Sequence, residues 1–176
     1  MKLLPILLLC PWFAVANSIE CKVVGIKDGD TITCLTDKKE QLTIRLYQID
    51  APEKKQAFGS KSKQALSDLV YKKNVLIETH KKDKYRRTLG TIYINIPAPC
   101  PDKIPNDMCA ECSKTIDVNL EMIQQGMAWY YPFTKKNKQY EYMEEYARAN
   151  KVGLWSQKAI APWQFRKLKI IYSPTI

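Results

Sequence analysis

Residues 45 to 53, Arg-Leu-Tyr-Gln-Ile-Asp-Ala-Pro-Glu, place one cation and two carboxylates within nine positions, the second acid just beyond a proline. A second acidic run, Asp28-Gly-Asp-Thr31, precedes it. If Asp30 and Asp50 converge, two carboxylates with a main-chain carbonyl and water form an oxygen-only set suited to Ca²⁺ or Mg²⁺. Arginine beside such a set neutralises negative charge as it develops on a reacting oxygen. The chain has a single histidine, His80, which excludes acid–base schemes that need two imidazoles.

The elements around these residues must bring them together. From Leu42 to Leu46 the even positions are apolar and the odd ones polar, but at Gln48 and Ile49 the phase reverses. The slip predicts a one-residue bulge near Tyr47-Gln48 that turns Asp50 onto the face of Arg45. Pro52 then ends the pairing and leaves Glu53 in a loop. Upstream, residues 19–36 read as two strands around Asp28-Gly29, where glycine's tolerance of positive φ favours a hairpin. Residues 58–73 carry a helical stripe of Phe58, Ala65, Leu66, Leu69 and Val70. Strands are predicted at 74–79 and 88–94, joined by the basic turn His80–Arg87. A proline-rich stretch over 95–115 comes next, then helices at 117–125 and about 137–151. Neither repeats nor a glycine-rich phosphate loop is present. Three strands, a helix, two strands and closing helices predict an α+β fold: a five-stranded OB-fold β-barrel with about three packed helices.

Residues 1–16 run from Lys2 through an apolar stretch to Ala14-Val-Ala16, the layout of a signal peptide cut after Ala16, so secretion or periplasmic export is expected. An uncleaved membrane anchor is the competing reading. The chain carries 28 Lys+Arg against 18 Asp+Glu. Such a surplus suits a polyanion, whether nucleic acid, anionic lipid or acidic glycan. Cys21 and Cys34 sit on neighbouring strands, while Cys100, Cys109 and Cys112 share the proline-rich loop. Export favours disulfides over zinc, for which a fourth ligand near the loop is missing.

Five runs, "IKDGDTI", "IRLYQIDAPE", "DKYRRTLGTIYI", "VNLEMIQQGMAW" and "EYARANKVGLW", occur in this order over roughly residues 20–155. Together they resemble the staphylococcal nuclease (thermonuclease) family. The tail "APWQFRK" is similar to that of bacterial members outside the staphylococcal branch. The resemblance implies a nuclease domain over 17–155, an insertion at about 96–114 and a basic, aromatic tail over 156–176. It implies Ca²⁺ held by Asp30, Asp50 and the main-chain oxygen of Ala51, where the staphylococcal enzyme has threonine. Glu53 would activate the attacking water, and Arg45 and Arg87 would grip the phosphate. Arg86 stands where the family has glycine, and register selects Arg87. Lys84, Tyr85 and Tyr131 are the expected substrate contacts, with Trp129 and Tyr130 as further stacking surface. The implied activity is metal-assisted hydrolysis of DNA or RNA to 3′-phosphates by a monomer. A barrel of this fold that binds nucleic acid without cutting it is the alternative.

Overall fold

Alternating apolar residues build the barrel described by the computed structural model, which covers residues 18–97 and 113–171. The elements, in chain order, are β1 (Ser18–Ile26), β2 (Thr31–Leu35), β3 (Gln41–Leu46), β4 (Ile49–Asp50) and α1 (Gly59–Val70). After them come β5 (Asn74–Lys82), β6 (Thr88–Pro97), β7 (Ser113–Asp117), α2 (Val118–Gln124), β8 (Trp129–Tyr130), α3 (Lys138–Ala149) and α4 (Pro162–Ile171). The main sheet runs β3-β2-β1-β5-β6-β7, and β3 also pairs with β6 in parallel. That last pairing closes β1, β2, β3, β5 and β6 into a barrel and leaves β7 as an extension. Val23, Ile32, Ile44, Ile77 and Ile92 fill the interior, each fully buried. The Cys21–Cys34 disulfide forms across β1 and β2, with Cα atoms 5.7 Å apart. Cys100, Cys109 and Cys112 lie outside the described residues, as does the expected signal peptide.

Closure depends on a close approach at Gly90. A Cβ there would meet Ile77 Cγ2 at 2.5 Å and Ile44 Cγ2 at 3.3 Å, so only glycine lets β6 lie between β3 and β5. Beyond Gly90, β3 and β7 diverge along β6: β3 pairs as far as Gly90, and β7 begins at Tyr93. Asn119 of α2, fully buried, fills the gap. Its Oδ1 accepts from Ile92 N–H at 3.1 Å, and its amide donates to the carbonyls of Tyr47 at 2.9 Å and Gly90 at 3.2 Å. One side chain thereby ties barrel, helix and the chain leaving β3.

Helix ends follow local chemistry. Asp117 caps α2 by accepting from Leu120 N–H, and its other oxygen accepts from Tyr140 Oη at 2.8 Å, which docks α3. Burial beside that acid pushes the Tyr140 phenol far above its ordinary range. Asn137 caps α3. Where the sequence predicts one long β3 with a bulge, the strand ends at Leu46. Gln48 takes φ 62 and the chain re-enters as β4, paired with β8 through Ile49↔Tyr130 and Asp50↔Trp129. The predicted phase change is present, and a left-handed turn produces it. The tail beyond Ser156, expected only as basic and aromatic, forms α4, a fourth helix.

Asn119→Ala leaves Ile92 N–H and the Tyr47 carbonyl without this partner, whereas the Gly90 carbonyl keeps Tyr47 N–H at 2.8 Å. Two buried orphans should cost about 3 kcal/mol. The urea midpoint is expected to fall accordingly, and an unchanged midpoint would contradict the role given to Asn119.

Candidate active site

The hairpin tip between β1 and β2 presents the first acid. Gly29 does not take positive φ here. It is needed because the tip presses on α1 and the segment after β4: a Cβ would meet Ser62 Oγ at 1.9 Å and Ala51 Cβ at 2.8 Å. That contact pushes Asp30 inward, where it is 3% exposed. Its Oδ1 accepts from Thr31 Oγ1 at 2.8 Å and Arg45 Nη1 at 2.6 Å, and its Oδ2 accepts from Ala51 N–H at 3.0 Å.

Arg45 reaches the second acid with its other nitrogen, Nη2 donating to Asp50 Oδ1 at 2.7 Å. The predicted convergence of Asp30 and Asp50 is therefore present, with the guanidinium bridging them. Asp50 has no exposure. The β4–β8 ladder, the bond from Leu46 N–H to Asp30 O and the bond from Tyr131 N–H to Gln48 O, each 2.8 Å, fix the backbone around it. Guanidinium groups lie against both acids.

One of those groups is absent from the sequence expectations. Arg166 of α4 donates to Asp50 Oδ2 at 2.7 Å and Oδ1 at 3.2 Å, and to Glu53 Oε1 at 2.7 Å. Glu53 thus stands in the same cluster, held through its only side-chain ion pair among the described residues. A proline opening a helix and an aromatic three residues before Arg166 were signals for α4. Nothing local announced where that helix docks.

The cleft beside the cluster has a volume of about 560 Å³, with Arg45, Glu53, Lys84, Tyr85, Arg87, Tyr131 and Arg166 among its walls. Arg87 faces Asp83 rather than the acids, with Nε to Oδ2 at 2.7 Å. Although burial opposes it, hydrogen bonds from the Arg87 side chain and backbone hold the Asp83 carboxyl below its usual range. Arg86 takes φ 65, a conformation glycine favours, and lines a neighbouring basic groove with Lys27 and Lys82. Tyr85 is 68% exposed, with the Lys84 ammonium 5.0 Å and the Arg87 guanidinium 5.4 Å from its ring centre. Trp129 and Tyr130, expected as possible stacking surface, are buried; Trp129 packs edge-on against Trp155. His80 is an exposed residue whose ring lies 4.1 Å from that of Tyr47.

The donor chemistry fits a hard divalent cation. Both buried carboxylates offer only oxygen, and the bonds already made to Ala51, Thr31 and Arg45 orient them. Among the described residues no group of three or more His, Cys, Asp or Glu side chains is placed to hold a metal ion. Burial pushes the Asp30 carboxyl up to about 6, with neighbouring Asp28 adding to the rise and Arg45 and Ala51 N–H opposing it. An added positive charge would relieve that penalty.

A closed barrel whose rim gathers two acids and a bridging arginine, flanked by a basic cleft, is an OB-type barrel with its charged side chains concentrated at one place on the rim. The model of the family described as "Staphylococcal nuclease homologue" matches residues 43–157. An uncharacterized endonuclease of Haemophilus influenzae is 43% identical over 148 residues, spanning 84% of this chain and 72% of its own length. Protein ParB of Escherichia coli is 40% identical over 149 residues, 83% of this chain and 78% of its own. A micrococcal nuclease of Shigella flexneri is 39% identical over 150 residues, 83% of this chain and 79% of its own. The chain belongs to the staphylococcal nuclease family.

The folded Asp30 carboxyl holds its proton up to about pH 6, above its ordinary 3.8. Its contribution therefore favours folding below about pH 4 and is lost as pH rises through about 6. Carboxyl-carbon NMR in EDTA is expected to place the Asp30 midpoint near 6; a midpoint near 4 would contradict the burial argument.

Proposed function

We propose that this protein is an exported, Ca²⁺-dependent nuclease that hydrolyses the phosphodiester backbone of DNA, and of RNA, acting as a monomer and leaving 3′-phosphates. The observation that carries this reading is the Arg45 guanidinium shared between the buried carboxylates of Asp30 and Asp50 at 2.6 and 2.7 Å, with Glu53 in the same cleft. The match to nucleases over most of the chain supports it.

Asp30, Asp50 and the main-chain oxygen of Ala51 would hold Ca²⁺, which when bound would supply Lewis-acid polarisation of a phosphate oxygen. The chain's own residues do the rest. Arg45, fixed on two acids, presents its remaining surface to a non-bridging phosphate oxygen. Arg87, which also lines the cleft, exchanges its partly exposed pairing with Asp83 for a second oxygen; an ion pair that solvent still reaches resists such an exchange only weakly. Glu53, about two-fifths exposed, takes the proton from the attacking water. Charge on the phosphoryl oxygens grows towards the transition state, so donors fixed beforehand favour that state over the ground state. Lys84, Tyr85 and Tyr131 supply charge and ring faces for the flanking nucleotide, a pattern suited to single strands. The 28 basic residues against 18 acidic ones draw the polyanion in, more weakly as salt rises.

Digestion of denatured DNA with Ca²⁺, with and without EDTA, followed by end-group analysis, tests the reading. Cleavage that needs Ca²⁺ and yields 3′-phosphates is expected. Arg45→Lys should lower kcat by at least ~10²-fold, since an ammonium cannot bridge both acids and also face the phosphate. Salt-sensitive binding without any turnover by folded protein would instead establish the non-cutting barrel.

A further inference from the structure

Glu53 lies in a loop after Pro52 and is partly exposed, so a long, flexible acid is asked to hold one position as a base. Among the described residues its only ion-pair partner is Arg166. Arg166 is in turn anchored on Asp50 through two bonds, 2.7 and 3.2 Å. Asp50 is fully buried and paired in β4. The guanidinium is therefore a fork between a buried acid and a partly exposed one.

The helix that carries it is seated by aromatic contacts. Trp163, one helical turn before Arg166, packs edge-on against Tyr131 at 5.8 Å and Phe133 at 5.9 Å. Residues three apart share a helix face, so the contacts that seat Trp163 aim Arg166 at the acids. Ala161, buried just before the helix, accepts from Gln164 and Phe165 N–H and fixes its first turn.

We infer that Arg166 is a positioning residue of the active site: α4 docks through Trp163 so that Arg166 clamps Glu53 onto Asp50 in the orientation from which it takes the water's proton. The inference rests on the nuclease reading above. It differs from a plug, in which Arg166 would merely occupy the place of the cation. A clamp raises kcat, whereas a plug lowers it. Both compete with the cation for Asp50 oxygens, so cation affinity and turnover report separately.

The test compares the full-length mature protein with Arg166→Gln, Arg166→Lys, Trp163→Ala and the control Lys167→Gln, which removes the adjacent α4 charge. kcat and KM are measured on denatured DNA at saturating Ca²⁺, and Ca²⁺ affinity by titration calorimetry. For Arg166→Gln, kcat is expected to fall ~10- to 10²-fold, the scale of a misplaced reacting group, with KM nearly unchanged. Ca²⁺ should bind it on the order of 3- to 10-fold more tightly, because a competing cation has left Asp50. Arg166→Lys should recover part of the kcat, Lys167→Gln should match wild type, and Trp163→Ala should share the Arg166→Gln defect without adding to it in the double variant. A rise in kcat for Arg166→Gln would make Arg166 a plug and overturn the inference. So would a loss confined to KM, weakened Ca²⁺ binding, or an unchanged kcat while wild type cleaves normally. Absence of Ca²⁺-dependent cleavage by wild type would instead defeat the nuclease reading, and the clamp with it.

Discussion

A guanidinium held between two buried carboxylates is the constraint around which this barrel is arranged. Neither Asp30 nor Asp50 can be desolvated alone without a large penalty. Arg45 offsets part of it for both acids at once, and Thr31 and Ala51 supply further donors to Asp30. The arrangement works only if two segments distant in sequence reach one guanidinium within hydrogen-bonding distance. Gly29 lets the hairpin tip press inward, the turn at Gln48 sends Asp50 back towards the rim, and Asn119 ties the intervening backbone to the barrel. The site is thus held by hydrogen bonds of the barrel rim. On the nuclease reading, donors held in this way are in place before charge develops on a phosphate.

Charge is laid out in layers around this cluster. The acids are innermost and buried, the guanidiniums surround them, and Lys84, Lys27, Lys82 and Arg86 occupy the outer grooves. A polyanion approaching from solvent meets the outer cations first and never sees the acids unscreened. Burial pushes the Asp30 carboxyl up even with Arg45 in contact.

How much of this was legible in the sequence follows from how local each signal is. Alternation of apolar residues located the five barrel strands, and the apolar stripe of 58–73 located α1 to within a few residues. The reversal at Gln48 correctly signalled that Asp50 and Arg45 would meet. It could not distinguish an inserted residue from a left-handed turn, since both shift the phase by one. The strands β4 and β8, two residues each, are too short to show any period. Gly29 was assigned the wrong role because a glycine needed for close packing looks the same, in sequence, as one needed for positive φ. Arg166 is the instructive omission. Its importance lies in the docking of α4 more than a hundred residues from Asp50, and side chains that meet only through tertiary packing leave no spacing to read.

That omission also explains a division of labour in the site. Arg45 comes from the barrel strand β3, Asp30 from the tip between β1 and β2, and Asp50 from β4, which pairs with β8 outside the barrel sheet. Glu53 and Arg166 come from a loop and a helix that rest on the barrel through side-chain contacts, chiefly the rings of Tyr131, Phe133 and Trp163. The first kind of support rests on backbone hydrogen bonds, whereas the second leaves Glu53 dependent on the Arg166 side chain. Asp50 belongs to both sets, bonded to Arg45 from the barrel side and to Arg166 from the helix side. Any shift of α4 is therefore felt at the innermost acid, and any ion that binds there is felt at the helix.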